Sequence, residues 1–288
     1  MAPPTDTLRM LQSVKALPSL PEIIILVEKV FSNPNASAQM VAAVLDDDPS
    51  MVTQLLRVAN SALYAGASPQ QCQTAVDAVT RLGFREARNI CLATGVVRMF
   101  PSDGPAVNLR AFWRRSLVVA NASHELASYA PPEATVERAA YYTGGLLHDI
   151  GVIAMEQFFH EEFLRSRELA KEEGMPIVEA EREVLGADHC EVGEELAWLW
   201  RLPASVAAAI RHHHDPEQCP PEYIDLARRV HVVVKVFDGN DSCSPDDKDV
   251  IDEEWRTLGL SGRDVLMFLA LASEQAEKSK VFESLLSG

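Results

Sequence analysis

The chain is poor in the features that would assign it to several broad classes. Its five cysteines (Cys72, Cys91, Cys190, Cys219 and Cys243) are odd in number, widely spaced and contain no Cys-x-x-Cys pair. The opening Met1-Ala2-Pro3-Pro4-Thr5-Asp6 carries neither a basic region nor an apolar run. A disulfide framework and a secretory leader are therefore not expected, and a reducing cytoplasm is the expected home. No apolar run approaches the roughly 18 residues of a membrane span. Positive charge is also scarce, with 26 Lys and Arg against 42 Asp and Glu, a formal charge of −16. That balance argues against direct binding to nucleic acid or to anionic membrane, which depends on basic residues neutralising phosphates. Arg81, Arg85 and Arg88 are spaced to share one helix face, and a solvated face is the simpler reading of them. No G-x-x-x-x-G-K-[ST] loop, no Gly-x-Ser-x-Gly elbow and no cysteine in an activating setting is found. Aromatic residues make up only 7%. No β-alternation of useful length and no repeat of 20–50 residues is visible.

What is present favours helices. Hydrophobic residues are 47% of the 288, dominated by alanine, leucine and valine. Ser19-Leu20-Pro21-Glu22 has the form of a capping box that opens a helix through Phe31. An alanine-rich helix to about Leu45 follows Asn33-Pro34-Asn35, and Asp48-Pro49 starts the next. In that segment Met51, Val52, Leu55, Leu56 and Ala59 keep a 3–4 spacing, so one face is buried. Gly66 to Gln71 reads as a loop, Thr74 begins a helix closed by Gly83, and another spans Phe84 to about Met99. After the linker Pro101-Ser102-Asp103-Gly104-Pro105, helices are predicted over Leu109–Tyr129, Val136–Leu147, Met155–Glu173, Ile177–Leu185, Cys190–Trp200, Ala204–His214 and Glu222–Phe237. An acidic loop from Asp238 to Asp249 precedes two last helices, about Ile251 to Leu258 and Gly262 to Leu286.

The most informative stretch is Gly144-Gly145-Leu146-Leu147-His148-Asp149-Ile150-Gly151-Val152. A histidine followed by an aspartate in a glycine-flanked apolar segment has the make-up of a metal-binding doublet, since successive helical side chains, about 100° apart, can lean toward one cation. A hydrogen-bonded pair stitching two helices is the competing reading. His212-His213-His214 at a helix C-terminus has a similar ambiguity, because such side chains also satisfy terminal carbonyls and suit the helix dipole. His124 and His231 read as ordinary packed or surface histidines. Trp198 and Trp200 read as core, with a small exposed docking patch as the rival, and Asn60-Ser61 as a hydrogen-bonding pair fixing a helix end.

Taken in order, these motifs resemble one family. Leu17-Pro18-Ser19-Leu20-Pro21, Asp48-Pro49-Ser50, Leu56-Arg57-Val58-Ala59-Asn60-Ser61 and Ala75-Val76-Asp77-Ala78-Val79-Thr80-Arg81-Leu82-Gly83 resemble the N-terminal signature of HD-related output domains (HDOD). Phe112-Trp113-Arg114-Arg115-Ser116, His148-Asp149, His189-x-x-x-Gly193 and Trp200-x-Leu202-Pro203 through His213-His214 continue it, over roughly residues 10 to 240. The resemblance implies a bacterial all-helical signalling module related to the HD phosphohydrolases, usually without demonstrated catalysis. It also implies His148, Asp149, His189, His213 and His214 as candidate metal ligands. Where the catalytic pattern has an early histidine and a late aspartate, Arg115 and Val234 stand here, with Asp238 one turn beyond Val234. Arginine stays protonated and repels a cation, and valine supplies no charge to balance one. Val152 replaces the lysine of the relatives that cleave cyclic dinucleotides, and their Gly-Tyr-Pro motif is missing.

The resulting expectation is an all-α fold. An N-terminal helical bundle (1–105) packs on an HD-like bundle (106–240), followed by an acidic loop and C-terminal helices (241–288). The expected function is a non-catalytic regulatory module acting through a signalling protein partner. The site is a remnant holding no cofactor or a single divalent metal, and the groove between subdomains is a place for contact or a small ligand. The alternative is a metal-dependent phosphohydrolase acting on nucleotides or a cyclic dinucleotide.

Overall fold

The computed structural model describes residues 22–31, 33–61, 64, 70–100, 107–130 and 136–237, with Trp255, residues 258–260, Asp264 and Phe268. Among them every regular element is helical and none is a strand. No helix among them is long and apolar enough to cross a membrane. The linker at 101–105, the acidic loop, most of the last two predicted helices, the opening signature at 17–21 and Asp238 lie outside the described residues. The described chain forms two compact units, within residues 22–100 and within residues 107–268.

The first unit contains α1 (Glu22–Phe31), α2 (Ala38–Leu45), α3 (Pro49–Ala59), α4 (Ala75–Leu82) and α5 (Phe84–Val97). Local chemistry sets most of these boundaries. Ser37 and Asp48 accept from the Met40 and Met51 N–H groups at 3.2 and 2.9 Å, and Pro49 occupies the first turn of α3. Thr74 and Asp77 form a capping box at the start of α4, and Gly83 ends that helix at φ +79°. The helices bury Val27, Leu45, Met51, Leu55, Val58, Val79 and Ile90 between them.

Asn60 fixes the end of α3. Its amide donates to the Cys72 carbonyl at 2.9 Å and accepts the Cys72 N–H at 2.8 Å. Arg81 donates to the same amide oxygen and to the Ala59 carbonyl, both at 3.2 Å, and to the Gln70 carbonyl. Arg88 pairs with Glu28 at 2.7 Å. Arg81 and Arg88 are thus spent within the unit. The Asn60→Ala substitution strands both polar groups of Cys72 and is expected to cost about 2–3 kcal/mol in urea denaturation; a loss below about 0.5 kcal/mol would contradict this role.

The second unit contains α6 (Leu109–Leu126), α7 (Arg138–Leu147), α8 (Ile150–Phe158), α9 (His160–Glu173), α10 (Ile177–Leu185), α11 (His189–Leu199), α12 (Ala204–His212) and α13 (Ile224–Phe237). A 3₁₀ turn, Ala127–Tyr129, extends α6. α7 lies between α6 and α12, α8 packs on α11, and α13 closes against α6, α7 and α12. Arg229, fully buried, locks α13 in place. It chelates Asp225 at 2.8 and 3.0 Å and donates to the Leu126 and Tyr129 carbonyls, while Tyr141 donates to Asp225 at 2.7 Å.

Two boundaries differ from the sequence reading. The single helix expected over Met155–Glu173 is two, separated at Phe159 (φ −137°, ψ 45°), and the first begins at Ile150. No glycine or proline marks this break. Phe159 is buried there, so packing overrides local propensity. The aromatic pair at the end of α11 divides as well, with Trp200, just past the helix, buried and Trp198 half exposed.

Candidate metal centre

His148 and Asp149 do not share a helix. α7 ends at Leu147 and α8 starts at Ile150, so the doublet forms the corner between them, with Asp149 at φ −100° and ψ 14°. Close helix crossings bring that corner to the other histidines. A methyl group on Gly145 would come within 2.8 Å of the Ala120 Cα, so α7 lies directly on the α6 backbone. A methyl on Gly151 would collide with the His189 carbonyl oxygen and come within 2.8 Å of the Gly193 N. Helix α8 can meet the first turn of α11 at this distance only because position 151 lacks a side chain. His213 and His214 follow directly from the end of α12.

All five residues named from the sequence meet at this corner. Asp149 lies 3.1 Å from His148 Nε2, 3.5 Å from His189 Nε2 and 3.3 Å from His213 Nε2. His214 Nε2 lies 3.1 Å from His189 Nε2. In three of the four rings the other nitrogen is anchored. His148 Nδ1 and His213 Nδ1 donate to the Gly145 and Ile210 carbonyls at 2.8 and 2.9 Å, and His189 Nδ1 donates to Glu181 at 2.6 Å. In His213 one nitrogen satisfies a helix-terminal carbonyl and the other faces Asp149. His231, on α13, donates to the His213 carbonyl at 2.6 Å and holds this end of α12.

Burial and mutual charge govern the electrostatics. Burial lowers the pKa of His148, the charges of His213 and Arg115 add to that, and Asp149 opposes it. Burial would raise the pKa of Asp149, yet His148 and His213 hold it well below the usual carboxylate range. Burial lowers the pKa of His214 to about 3, reinforced by His213 and His189. For His189 burial is outweighed by Cys190 and Glu181, which push the imidazole well above its ordinary value.

The donor set fits a divalent cation. The buried Nε2 atoms of His148 and His213 find no well-aimed hydrogen bond, although Asp149 is close to both. Imidazoles whose Nδ1–H groups are fixed by carbonyls or a carboxylate present Nε2 inward, where a cation would displace the Nε2 proton, and one carboxylate offsets part of the cation's charge. A nitrogen-rich set of this kind suits zinc, nickel or iron better than magnesium or calcium.

Two nearby residues were not read from the sequence. Glu181 sits in the charged run Glu179-Ala180-Glu181-Arg182-Glu183, which looks like a solvated helix face, yet it is buried. Cys190 is buried with its Sγ 3.8 Å from His213 Nδ1. Its donor atom clusters with those of His189, His213 and His214. The sulfur thus interacts with both the His189 and the His213 rings, while the His213 Nδ1 proton is directed at Ile210.

An all-helical unit carrying a His-Asp doublet at a helix corner, faced by histidines from two further helices, defines a module of the HD superfamily. The HDOD domain family matches residues 17–216, and the chain belongs to that family. It is similar to an uncharacterised protein of Treponema pallidum, 26% identical over 226 residues, which cover 77% of this chain and 43% of that protein. The matched region is thus less than half of the relative's length. Among solved structures, an HDOD domain protein of unknown function from Geobacter sulfurreducens is 26% identical with a TM-score of 0.78, covering 97% of each chain. A candidate phosphohydrolase from Shewanella amazonensis is 26% identical with a TM-score of 0.76, covering 96% of this chain and 98% of its own.

Proposed function

We propose that this chain is a non-catalytic regulatory module that acts by contact with a signalling protein and retains a single divalent-cation position from an HD site. His148, Asp149, His189, His213 and His214 would hold the cation. The observation that carries this reading is the count of anionic ligands: three imidazoles face one carboxylate, Asp149, and the Arg115 guanidinium bears on His148 from α6. A hydrolytic pair of cations would have to be balanced largely by Asp149, beside a fixed positive charge. When bound, one cation would act as a Lewis acid or cross-link; here the chain's own residues position it and tie three helices together. The protein–protein role is supported by family membership, and by a net charge of −16 that disfavours nucleic acid as partner.

The likeness to the Shewanella candidate phosphohydrolase, over nearly the full length of both chains, favours a second reading as a metal-dependent phosphohydrolase. Elemental analysis of untagged protein, combined with turnover on a panel of nucleotides and cyclic dinucleotides, separates the two. We expect about one metal per chain and no hydrolysis. Two metals with turnover abolished by His148→Ala would establish the second reading instead.

A further inference from the structure

We propose that Glu181 is a positioning residue of this centre, the buried carboxylate that turns His189 into a metal ligand. The inference rests on the reading of the centre as a cation site and adds to it a residue outside the ligand set. Glu181 lies on α10, only 1% exposed, and both of its hydrogen bonds go to His189. One oxygen, Oε2, accepts the His189 backbone N–H at 3.0 Å and the Nδ1–H at 2.6 Å, while Oε1 finds no partner.

A carboxylate so buried and so incompletely satisfied is costly to retain, so its location calls for a role. Capping of α11 supplies only part of one, because Glu181 satisfies the His189 N–H but is not the N-cap. Asp188 already occupies the N-cap, accepts from the Glu191 N–H at 2.8 Å, and forms a capping box with Glu191. Packing does not supply one, because an apolar side chain of similar size would fill the space without the desolvation cost. What Glu181 alone provides is direction. Holding a proton on Nδ1 leaves Nε2, which faces Asp149 and His214 at 3.5 and 3.1 Å, as the nitrogen that can give up its proton to a cation. By gripping the ring and the backbone of one residue with a single oxygen, it also fixes the ring relative to the helix that carries it. A carboxylate hydrogen-bonded to a ligating imidazole raises the basicity of the ligand as well, and removing such a partner commonly weakens metal binding about 10- to 100-fold.

The test is Co²⁺ binding to the full chain, followed by visible absorption and chelator competition, for the unaltered protein and for Glu181→Gln. Glutamine keeps the shape and one acceptor but loses the charge. With helicity and thermal unfolding of the metal-free protein used to verify folding, we expect about 10- to 100-fold weaker binding and an altered Co²⁺ spectrum. Equal affinity in the two proteins overturns the proposal. Ring ¹⁵N shifts of His189, measured without metal, give a second and independent readout. They should differ between the two proteins if Glu181 sets the protonation of Nδ1, and identical patterns again overturn it. Should the unaltered protein bind no Co²⁺, the cation reading fails on its own, and the ¹⁵N comparison still decides the role of Glu181.

Discussion

Replacing Gly151 by alanine is expected to be among the most damaging single changes in the second unit, costing about 3 kcal/mol or more. The new methyl would meet the His189 carbonyl oxygen and the Gly193 nitrogen, both backbone atoms of α11. A flexible side chain could rotate away, but backbone in the first turns of a helix cannot, so α8 and α11 would have to separate. Overpacking of a rigid contact usually costs about 1–3 kcal/mol, and a clash with backbone belongs at or above the top of that range. Separation of those helices also moves Asp149 away from His189, so metal affinity should fall with stability. Gly174→Ala is the matched control. Gly174 has open space where a methyl would go, and its φ of +64° sets the only penalty, about 1–2 kcal/mol. Urea denaturation of both variants checks the contrast; equal losses would show that the crossing of α8 and α11 is looser than its geometry implies.

The difference between these glycines also shows what could be read from the chain in advance. Caps and breakers are local chemistry, so Asp48-Pro49, Thr74 and Gly83 mark the ends of α3 and α4 in both the sequence and the structure. The all-helical class follows from the same local signals. The break at Phe159 was not legible, because it depends on which side of the helix finds a core to pack against. Within the centre, the histidines and Asp149 could be named because they lie in a recognisable order of motifs. Glu181 could not. It is eight residues before His189 and on another helix, so no helical spacing links the two, and its charged neighbours suggest solvent. Arg81 misled in the same way: its spacing from Arg85 and Arg88 suggests one shared helix face, whereas Gly83 parts α4 from α5 and the Arg81 guanidinium is bound to carbonyls at the end of α3 and in the segment before α4. In both cases the partner is distant in sequence, and charge alone does not say whether a side chain faces water or a buried acceptor.

Asp149→Asn is expected to abolish the stabilisation that a divalent cation confers. A ligand that binds only the folded state stabilises it by about 2.7 kcal/mol at 100 times its Kd. For a unit of this size that corresponds to a rise in Tm of roughly 5–10 °C with zinc over the chelator-treated protein. Asp149 is the carboxylate that three Nε2 atoms approach within 3.5 Å, so the asparagine variant leaves a divalent charge among neutral imidazoles with no carboxylate among its ligands. The rise should then shrink to within the error of the scan. Comparing each protein with its own chelator-treated form removes any effect of the substitution on the metal-free fold, which matters because Asp149 also balances the protonated rings there. His212→Ala serves as the reference variant. Its ring directly precedes the site but makes no contact with Asp149 in the described structure, and the zinc-dependent rise should survive. Persistence of the full rise in the asparagine variant would mean that the cation sits elsewhere, and that the convergence of imidazoles on this corner serves folding alone.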